Sequence, residues 1–251
     1  MKFDDIKTIG ILGGGVMGGG LAQTAATHGY RTIVVDVSDD VCEASRNTIV
    51  DGRYGLRRGI ERGKITFAQY EAAMQRLEFT TDPARLADVE LLIEAVPEIL
   101  ELKQRIFGEM DSIVRRDAIF ASNTSGYVIT EVARNVSPER RPLFIGMHWF
   151  SPAPVMKGVE VILTPETSEA TYEAVAAVTV QMQHEPIRLN DAPGRYGFIA
   201  NRIWGQAYEE ATRIFEEGIA TREAIDRAMK LGYGWPAGPF EGVEGFARGW
   251  Q

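Results

Sequence analysis

A histidine and a glutamate in the middle of the chain are the strongest candidates for acid–base chemistry. His148 lies near the end of the apolar segment 145–150, and Glu160 lies inside a second apolar segment, Gly158–Leu163. An ionised carboxylate is rarely buried among valines unless another group pairs with it. If the two residues lie on neighbouring strands, the carboxylate would fix the imidazole tautomer and stabilise the imidazolium formed during proton transfer. The alternatives are a structural core histidine and a glutamate that faces solvent.

The remaining histidines and the cysteine predict no further reactive centre. His28 and His184 lie at predicted helix ends and are expected to be structural or solvated. Cys42 is the only cysteine in the sequence, which excludes an intrachain disulfide and a cysteine-based metal site. We therefore expect no metal and a reducing, cytoplasmic location.

A glycine-rich loop near the N-terminus is typical of a dinucleotide site. The sequence Gly13-Gly14-Gly15-Val16-Met17-Gly18 matches G-x-G-x-x-G between a predicted strand and a predicted helix. Its glycines allow a tight turn, close approach of a pyrophosphate and close helix packing, and the helix N-terminus offers N–H donors. Asp36 ends the next predicted strand, where a carboxylate can bind ribose hydroxyls and repel a 2′-phosphate, which favours NAD over NADP. The alternative is a structural turn followed by an ordinary aspartate.

Strand and helix patterns alternate along most of the chain, which predicts βαβ units and a parallel sheet. The predicted strands are 8–12, 31–35, 90–96, 118–121, 144–150, 158–163 and 186–189. The predicted helices are 16–28, 39–62, 100–114, 129–134, 169–182, 198–217 and 222–230, the last two capped by Gly218 and Gly232. We therefore expect an α/β fold, with a Rossmann-type, mostly parallel sheet domain at 1–190 and a smaller all-helical C-terminal domain at 191–251.

Composition narrows the class of protein and its partners. The chain has 251 residues, 45% hydrophobic and 25% charged, as in globular proteins. Its net charge of −8 disfavours a nucleic-acid partner, which would need a strongly basic face. No apolar run is long enough to cross a bilayer, and the N-terminus lacks a secretory signal pattern. We expect neither a nucleic-acid nor a membrane partner.

Several motifs together resemble the L-3-hydroxyacyl-CoA dehydrogenases, including the 3-hydroxybutyryl-CoA dehydrogenases. They cover nearly the whole chain and comprise 13–22, 62–66, 80–82, 94–98 with Lys103, 122–125, 146–150, 156–162, 191–194 and 198–202. The resemblance implies reversible oxidation of a 3-hydroxyacyl thioester to a 3-oxoacyl thioester with NAD. It also implies a homodimer formed through the helical domain.

The same resemblance assigns roles to individual residues. It implies that His148 is the general base, that Glu160 is its partner, and that Ser125 and Asn201 hold the substrate. The implied cofactor contacts are Gly13, Gly15, Val16, Met17, Gly18, Asp36, Ala95, Val96, Glu98, Lys103, Asn123, Ser125 and Ser151. Ser151 stands where the family usually has Asn. Without the resemblance, Lys103 would be assigned to a solvated helix face.

Two features leave the substrate open. The basic residues Arg53, Arg57, Arg58, Arg62 and Lys64 could meet the phosphates of CoA or form a solvated helix face. Family members usually continue further than Gln251, so we expect a shortened or truncated helical domain. The alternatives are a related dehydrogenase acting on a hydroxy acid or an aromatic alcohol without CoA, and a non-catalytic NAD-binding protein.

Overall fold

One sheet of eight strands organises the first unit of the protein. It is seen in a computed structural model, which describes residues 2–191 and 194–247. The strands are β1 (Thr8–Leu12), β2 (Arg31–Val35), β3 (Leu77–Thr80), β4 (Leu91–Glu94), β5 (Ile119–Ser122), β6 (Phe144–Trp149), β7 (Gly158–Leu163) and β8 (Glu185–Asn190). Their order is β3-β2-β1-β4-β5-β6-β7-β8. Among these pairs β6–β7 is antiparallel and the others are parallel.

Helices account for most of the other described residues. They are α1 (Val16–Thr27), α2 (Asp39–Asp51), α3 (Leu56–Glu61), α4 (Phe67–Arg76), α5 (Leu100–Ile113), α6 (Ile129–Val132), α7 (Glu169–Gln181), α8 (Ile199–Glu216), α9 (Arg222–Tyr233) and α10 (Pro239–Ala247). Short 3-10 helices cover Phe3–Asp5, Pro83–Leu86, Ala133–Asn135 and Arg141–Leu143. The chain forms two compact units, Met1–Arg195 and Tyr196–Gln251.

The central strands are buried on both faces of the sheet. Every residue of β4, β5 and β6 is buried, and the same holds for all but the first residue of β1. Continuous apolar runs of this kind are typical of parallel strands with two covered faces. Ala22, Ala25 and Ala26 let α1 pack closely in this core. The α/β fold class and the mostly parallel sheet predicted from the sequence are confirmed.

The segment after β2 differs from its prediction. The single helix expected at 39–62 is wrong, because α2 ends at Asp51 and α3 begins at Leu56. Gly52 and Gly55 lie between the two helices, and both have an extended backbone. A Cβ on Gly55 would lie 2.7 Å from Val50 O, so this glycine permits the tight connection.

Two α-helices and one strand were not predicted. Helix α4 and strand β3 follow α3, and α4 begins with a capping box in which Thr66 and Gln69 bond reciprocally. Helix α10 follows α9 in the second unit. The prediction that Gly232 caps α9 is also wrong, since Gly234 occupies the left-handed position with φ 69°.

The second unit contains α8, α9 and α10 packed around Ala211, Ile225 and Phe240. The buried carboxylate of Asp226 on α9 accepts hydrogen bonds from the backbone N–H groups of Phe240 at 2.9 Å and Glu241 at 3.1 Å. It therefore caps the N-terminus of α10. The domain boundary expected after residue 190 lies close to the division between Arg195 and Tyr196.

Candidate active site

His148 and Glu160 face each other across the antiparallel β6–β7 pair. The register places the two residues opposite each other, and His148 Nδ1 lies 2.7 Å from Glu160 Oε2. The histidine is 5% exposed and the glutamate 1%, so Glu160 does not face solvent. Because a carboxylate accepts hydrogen bonds, the neutral ring carries its proton on Nδ1, and Nε2 is its basic nitrogen. This is the arrangement that a general base requires.

Asn123 supports the strand that carries the histidine. It directly follows β5, and its Oδ1 accepts a hydrogen bond of 2.9 Å from the backbone N–H of Trp149. The ring of Phe150 lies 4.9 Å from the His148 ring, centroid to centroid. Both contacts restrict the segment around the imidazole. The predicted contact of Asn123 with NAD stays a prediction.

The glycine loop has the shape that a pyrophosphate site needs. Gly13 has φ 93°, and a Cβ there would lie 2.7 Å from Ala95 O. A Cβ on Gly18 would lie 1.7 Å from Gly13 O, so α1 packs too closely for a side chain. A Cβ on Gly15 would have no described atom within 4 Å. The loop is therefore open at the residue that precedes α1, where backbone N–H groups can bind an anion.

The residues that flank this loop also fit a dinucleotide. Asp36 directly follows β2, and its carboxylate accepts hydrogen bonds from the N–H of Gly14 and, at 2.6 Å, from the N–H of Val37. A carboxylate has about four acceptor sites, so it can also accept from ribose hydroxyls. Val16 is 77% exposed, and Met17 packs against the core.

A buried ion pair lies beside the ends of β4 and β5. Lys103 on α5 is 1% exposed and Glu94 is 0% exposed. Lys103 Nζ donates at 2.6 Å to Glu94 Oε1 and at 3.3 Å to Val96 O, and it lies 3.1 Å from Glu98 Oε2. Ser122 Oγ donates at 2.6 Å to Glu94 Oε2. Burial raises the pKa of Glu94, and the Lys103 ammonium acts against that rise.

Lys103 therefore does not lie on a solvated helix face. Its three N–H donors have three protein acceptors, so its first effect is to hold Glu98 and the Val96 carbonyl in place. Its direct contact with NAD stays a prediction. Glu94 was not predicted as a member of this group, although an acid inside a predicted apolar strand is the same signal that identified Glu160.

Glu98 joins this ion pair to the loop that follows β5. Its carboxylate accepts hydrogen bonds from Thr124 Oγ1 at 2.6 Å and from the Ser125 N–H at 2.9 Å. Although partial burial acts in the opposite direction, the bonds from Thr124, Lys103 and Ser125 hold the pKa of Glu98 below its usual range. Glu98 thereby fixes the position of Ser125. Ala95 and Val96 lie between Glu94 and Glu98, and the Val96 N–H donates to Glu94 at 2.8 Å.

The two remaining predicted site residues are Ser151 and Asn201. Ser151 is half-buried just after β6, and its predicted cofactor contact stays a prediction. Asn201 lies in the first turn of α8, in the second unit. Its predicted contact with substrate also stays a prediction.

A basic cleft of about 350 Å³ opens beside α1 and α3 in the first unit. Its charged lining residues are Arg53, Arg58, Arg62, Lys64 and Lys157, with His28 and His184 as titratable neighbours. Arg57, which was grouped with them from the sequence, instead pairs with Asp51 at 2.8 Å. No carboxylate is among the described lining residues, so the cleft is suited to an anion.

Residues 2–191 and 194–247 contain neither a cluster of metal-ligating side chains nor a helix that could cross a membrane. No group of three His, Cys, Asp or Glu side chains is arranged to hold a metal ion. No helix there combines the length and the apolar character that a membrane crossing requires.

The fold and the site define a nucleotide-binding dehydrogenase with a buried histidine–carboxylate pair. Comparison with known proteins gives the family. Residues 8–192 match the model of the 3-hydroxyacyl-CoA dehydrogenase NAD-binding domain, and residues 197–246 match that of the C-terminal domain. The chain belongs to the 3-hydroxyacyl-CoA dehydrogenase family. It is an NAD-dependent oxidoreductase, as predicted.

Individual relatives agree with this assignment. The mitochondrial hydroxyacyl-coenzyme A dehydrogenase of Rattus norvegicus is 38% identical over 94% of this chain and 74% of its own length. A probable 3-hydroxybutyryl-CoA dehydrogenase of Deinococcus radiodurans is 38% identical over 92% of this chain and 80% of its own. The (S)-3-hydroxybutyryl-CoA dehydrogenase of Ralstonia eutropha is 39% identical over 93% of this chain and 80% of its own chain, and its crystal structure matches with a TM-score of 0.87.

Proposed function

We propose that the protein interconverts a 3-hydroxyacyl-CoA and a 3-oxoacyl-CoA, with His148 as the general base. The observation that carries the mechanism is the 2.7 Å contact between His148 Nδ1 and Glu160 in a buried site. The observation that supports the substrate class is the family to which the chain belongs.

In the oxidation direction, His148 Nε2 accepts the hydroxyl proton of the substrate. Glu160 stabilises the resulting imidazolium through its hydrogen bond to Nδ1. Bound NAD supplies the hydride acceptor. Because both side chains are almost completely buried, water competes little for either of them, and their attraction is stronger than it would be in solvent.

The cofactor would be held by the Gly13–Gly18 loop and Asp36, with Glu98 and Ser125 at the next strand ends. Parallel sheets bind ligands at the carboxyl ends of their strands, and all these residues follow such ends. His148 is the penultimate residue of β6, whose carboxyl end lies at the same edge because β6 is parallel to β5. The reacting groups would thereby be brought together.

The basic cleft is the proposed site for the phosphates of CoA. Its arginine and lysine side chains offer charge-assisted hydrogen bonds, and no described lining residue carries a carboxylate to repel a phosphate. Arg58 and Lys157 belong to different segments of the first unit, so the positive charge does not come from one helix face alone.

Steady-state kinetics with NADH test the substrate class. Acetoacetyl-CoA should be reduced with a far higher kcat/KM than acetoacetate or another ketone without a thioester. The double variant Arg58→Gln/Lys157→Gln should raise KM for acetoacetyl-CoA and leave KM for NADH unchanged, with Arg57→Gln as the matched control. Reduction of free ketones, but of no thioester, would instead establish a dehydrogenase that does not use CoA.

Two further expectations belong to this proposal. A homodimer formed through the second unit is supported by exposed apolar side chains on α8 and α9, namely Ile203, Leu231 and Tyr233. Sedimentation equilibrium of the full chain would measure its mass in solution. The cytoplasmic location stays a prediction from the sequence.

A further inference from the structure

His184 is a buried histidine that the mechanism above does not use. It lies between α7 and β8 and is 5% exposed. Its Nδ1 lies 2.7 Å from Met182 O, and its Nε2 lies 3.0 Å from Ala153 O. Both ring nitrogens therefore face backbone carbonyl oxygens.

Carbonyl oxygens accept hydrogen bonds and cannot donate them. A neutral imidazole has one N–H, so one of its nitrogens would place a lone pair against a carbonyl lone pair. In a buried position that arrangement loses one hydrogen bond and leaves two acceptors facing each other. An imidazolium, which has two N–H groups, satisfies both carbonyls.

We infer that His184 is a positioning residue, held as an imidazolium, which fixes the 151–157 segment to the end of α7. One hydrogen bond anchors the ring within its own turn, at Met182, and the other reaches across to Ala153. Loss of the proton would remove one of these two attachments.

The surroundings of the ring show which forces act on its charge. The ring of Trp149 lies 4.7 Å from the His184 ring, centroid to centroid, at an angle of 61°. The other charged groups that line the basic cleft are cationic. They are Lys157 from the 151–157 segment and, from the region of α3, Arg53, Arg58, Arg62 and Lys64, and the cleft also contains His28 from α1. Glu185 follows His184 in the chain and is exposed. These cations oppose the charge on His184, and an anion in the cleft would favour it.

The segment that His184 holds lines the basic cleft and packs against α1. Pro154, Val155 and Lys157 line the basic cleft. Ala153 and Pro154 also pack against α1, because a Cβ on Gly20 would lie 3.3 Å from each of them. Trp149, which contacts the His184 ring, is the neighbour of His148 on β6. The imidazolium therefore positions one wall of the cleft, and through the proposed function it affects binding of the CoA substrate.

The protonation state can be measured directly. Long-range ¹H–¹⁵N NMR of the NAD-bound protein distinguishes an imidazolium from either neutral tautomer, and His184→Gln identifies the signal. We expect the imidazolium pattern at neutral pH, whether or not the protein reduces any thioester. A neutral pattern at that pH would overturn the inference, including one that arises because the ring is turned so that its carbon atoms face the carbonyls.

Kinetics of two His184 variants test the positioning role. His184→Gln should raise KM for acetoacetyl-CoA about five- to tenfold, since one or two hydrogen bonds are lost, and change kcat less than about twofold. His184→Lys should restore KM, because an ammonium has three donors and no acceptor. Glu185→Gln, a change at the exposed neighbour of His184 that does not line the cleft, is the matched control and should have no effect.

The two substitutions separate a charged contact from a merely structural one. KM should be restored in His184→Lys, which keeps a cationic donor, and not in His184→Gln. Equal KM values in the two variants would overturn the inference. If wild-type protein reduces no thioester at all, the proposed function fails, but the NMR result still decides the state of His184.

Discussion

Two buried acid–base pairs lie at the carboxyl ends of the central strands, and they differ in the chemistry of the basic side chain. The His148–Glu160 contact is 2.7 Å long and the Lys103–Glu94 contact is 2.6 Å long. All four residues are at most 5% exposed. Burial and distance therefore do not distinguish the pair proposed to catalyse the reaction from its neighbour.

The hydrogen bonds distinguish them. Lys103 directs three donors at Glu94, Glu98 and the Val96 carbonyl, so its ammonium is fully used by the protein. Glu160 fixes Nδ1 of His148, and the basic nitrogen of that ring is Nε2. A neutral imidazole has a nitrogen lone pair that can accept a proton from a substrate, whereas an ammonium has no lone pair. We therefore expect one pair to determine turnover and the other to determine stability.

The His148→Gln substitution should show the largest effect on turnover. Loss of a general base lowers kcat by about two to four orders of magnitude. Affinity for NAD, measured by fluorescence titration of NADH, should stay near that of the wild type. The free energy of unfolding should change by no more than about 1 kcal/mol, because glutamine can still hydrogen-bond to Glu160. An unchanged kcat would remove His148 from the mechanism.

The Lys103→Met substitution should show the opposite pattern. Methionine has a similar length but leaves the Glu94 carboxylate buried without its ammonium, which costs about 3–5 kcal/mol of stability. Urea denaturation measures this loss, and kcat at saturating NAD should fall much less than in His148→Gln. If stability stays the same while KM for NAD rises strongly, Lys103 contacts the cofactor directly, and the comparison between the two pairs fails.

The Glu160→Gln substitution tests whether the histidine needs a charged partner. The amide can still accept the Nδ1 proton but no longer stabilises the imidazolium by its charge, so kcat should fall by about a hundredfold. Glu166→Gln, at an exposed turn after β7, is a suitable control. A kcat within twofold of wild type would show that the Glu160 charge is not required for turnover. The carboxylates of both pairs would then have a structural role.

The sequence predicted the histidine pair but not the lysine pair, and the reason is geometric. Strand β7 was predicted with the bounds that the structure shows, Gly158–Leu163, and side chains on paired strands meet at fixed positions. The partner of Glu94 lies on a helix, and whether Lys103 points inward depends on how α5 packs against the sheet. A sequence pattern alone does not specify that packing.

The elements that were not predicted differ in the signal that the sequence offers. The break between α2 and α3 depends on Gly52 and Gly55, and glycines in a helical pattern do not by themselves show where a helix ends. Helix α4 had a usable signal in the capping box formed by Thr66 and Gln69. The two carbonyls that face His184 had none, because every residue has a carbonyl and only the fold determines where it points.

The Ser122→Ala substitution should produce the smallest of these effects and bears on the lysine pair alone. Ser122 donates a 2.6 Å hydrogen bond to the buried Glu94 carboxylate, and removal of a donor to a charged group costs about 1.5–3 kcal/mol of stability. Because Lys103 remains, kcat and KM for NAD should stay within about twofold of wild type. Thr124→Val is the matched variant on the neighbouring carboxylate. It removes the 2.6 Å bond to Glu98, whose side chain is 33% exposed, so we expect a smaller loss of stability and a higher KM for NAD. If Ser122→Ala instead lowers kcat strongly while stability is unchanged, Glu94 acts in turnover, and the division between a catalytic pair and a structural pair is wrong.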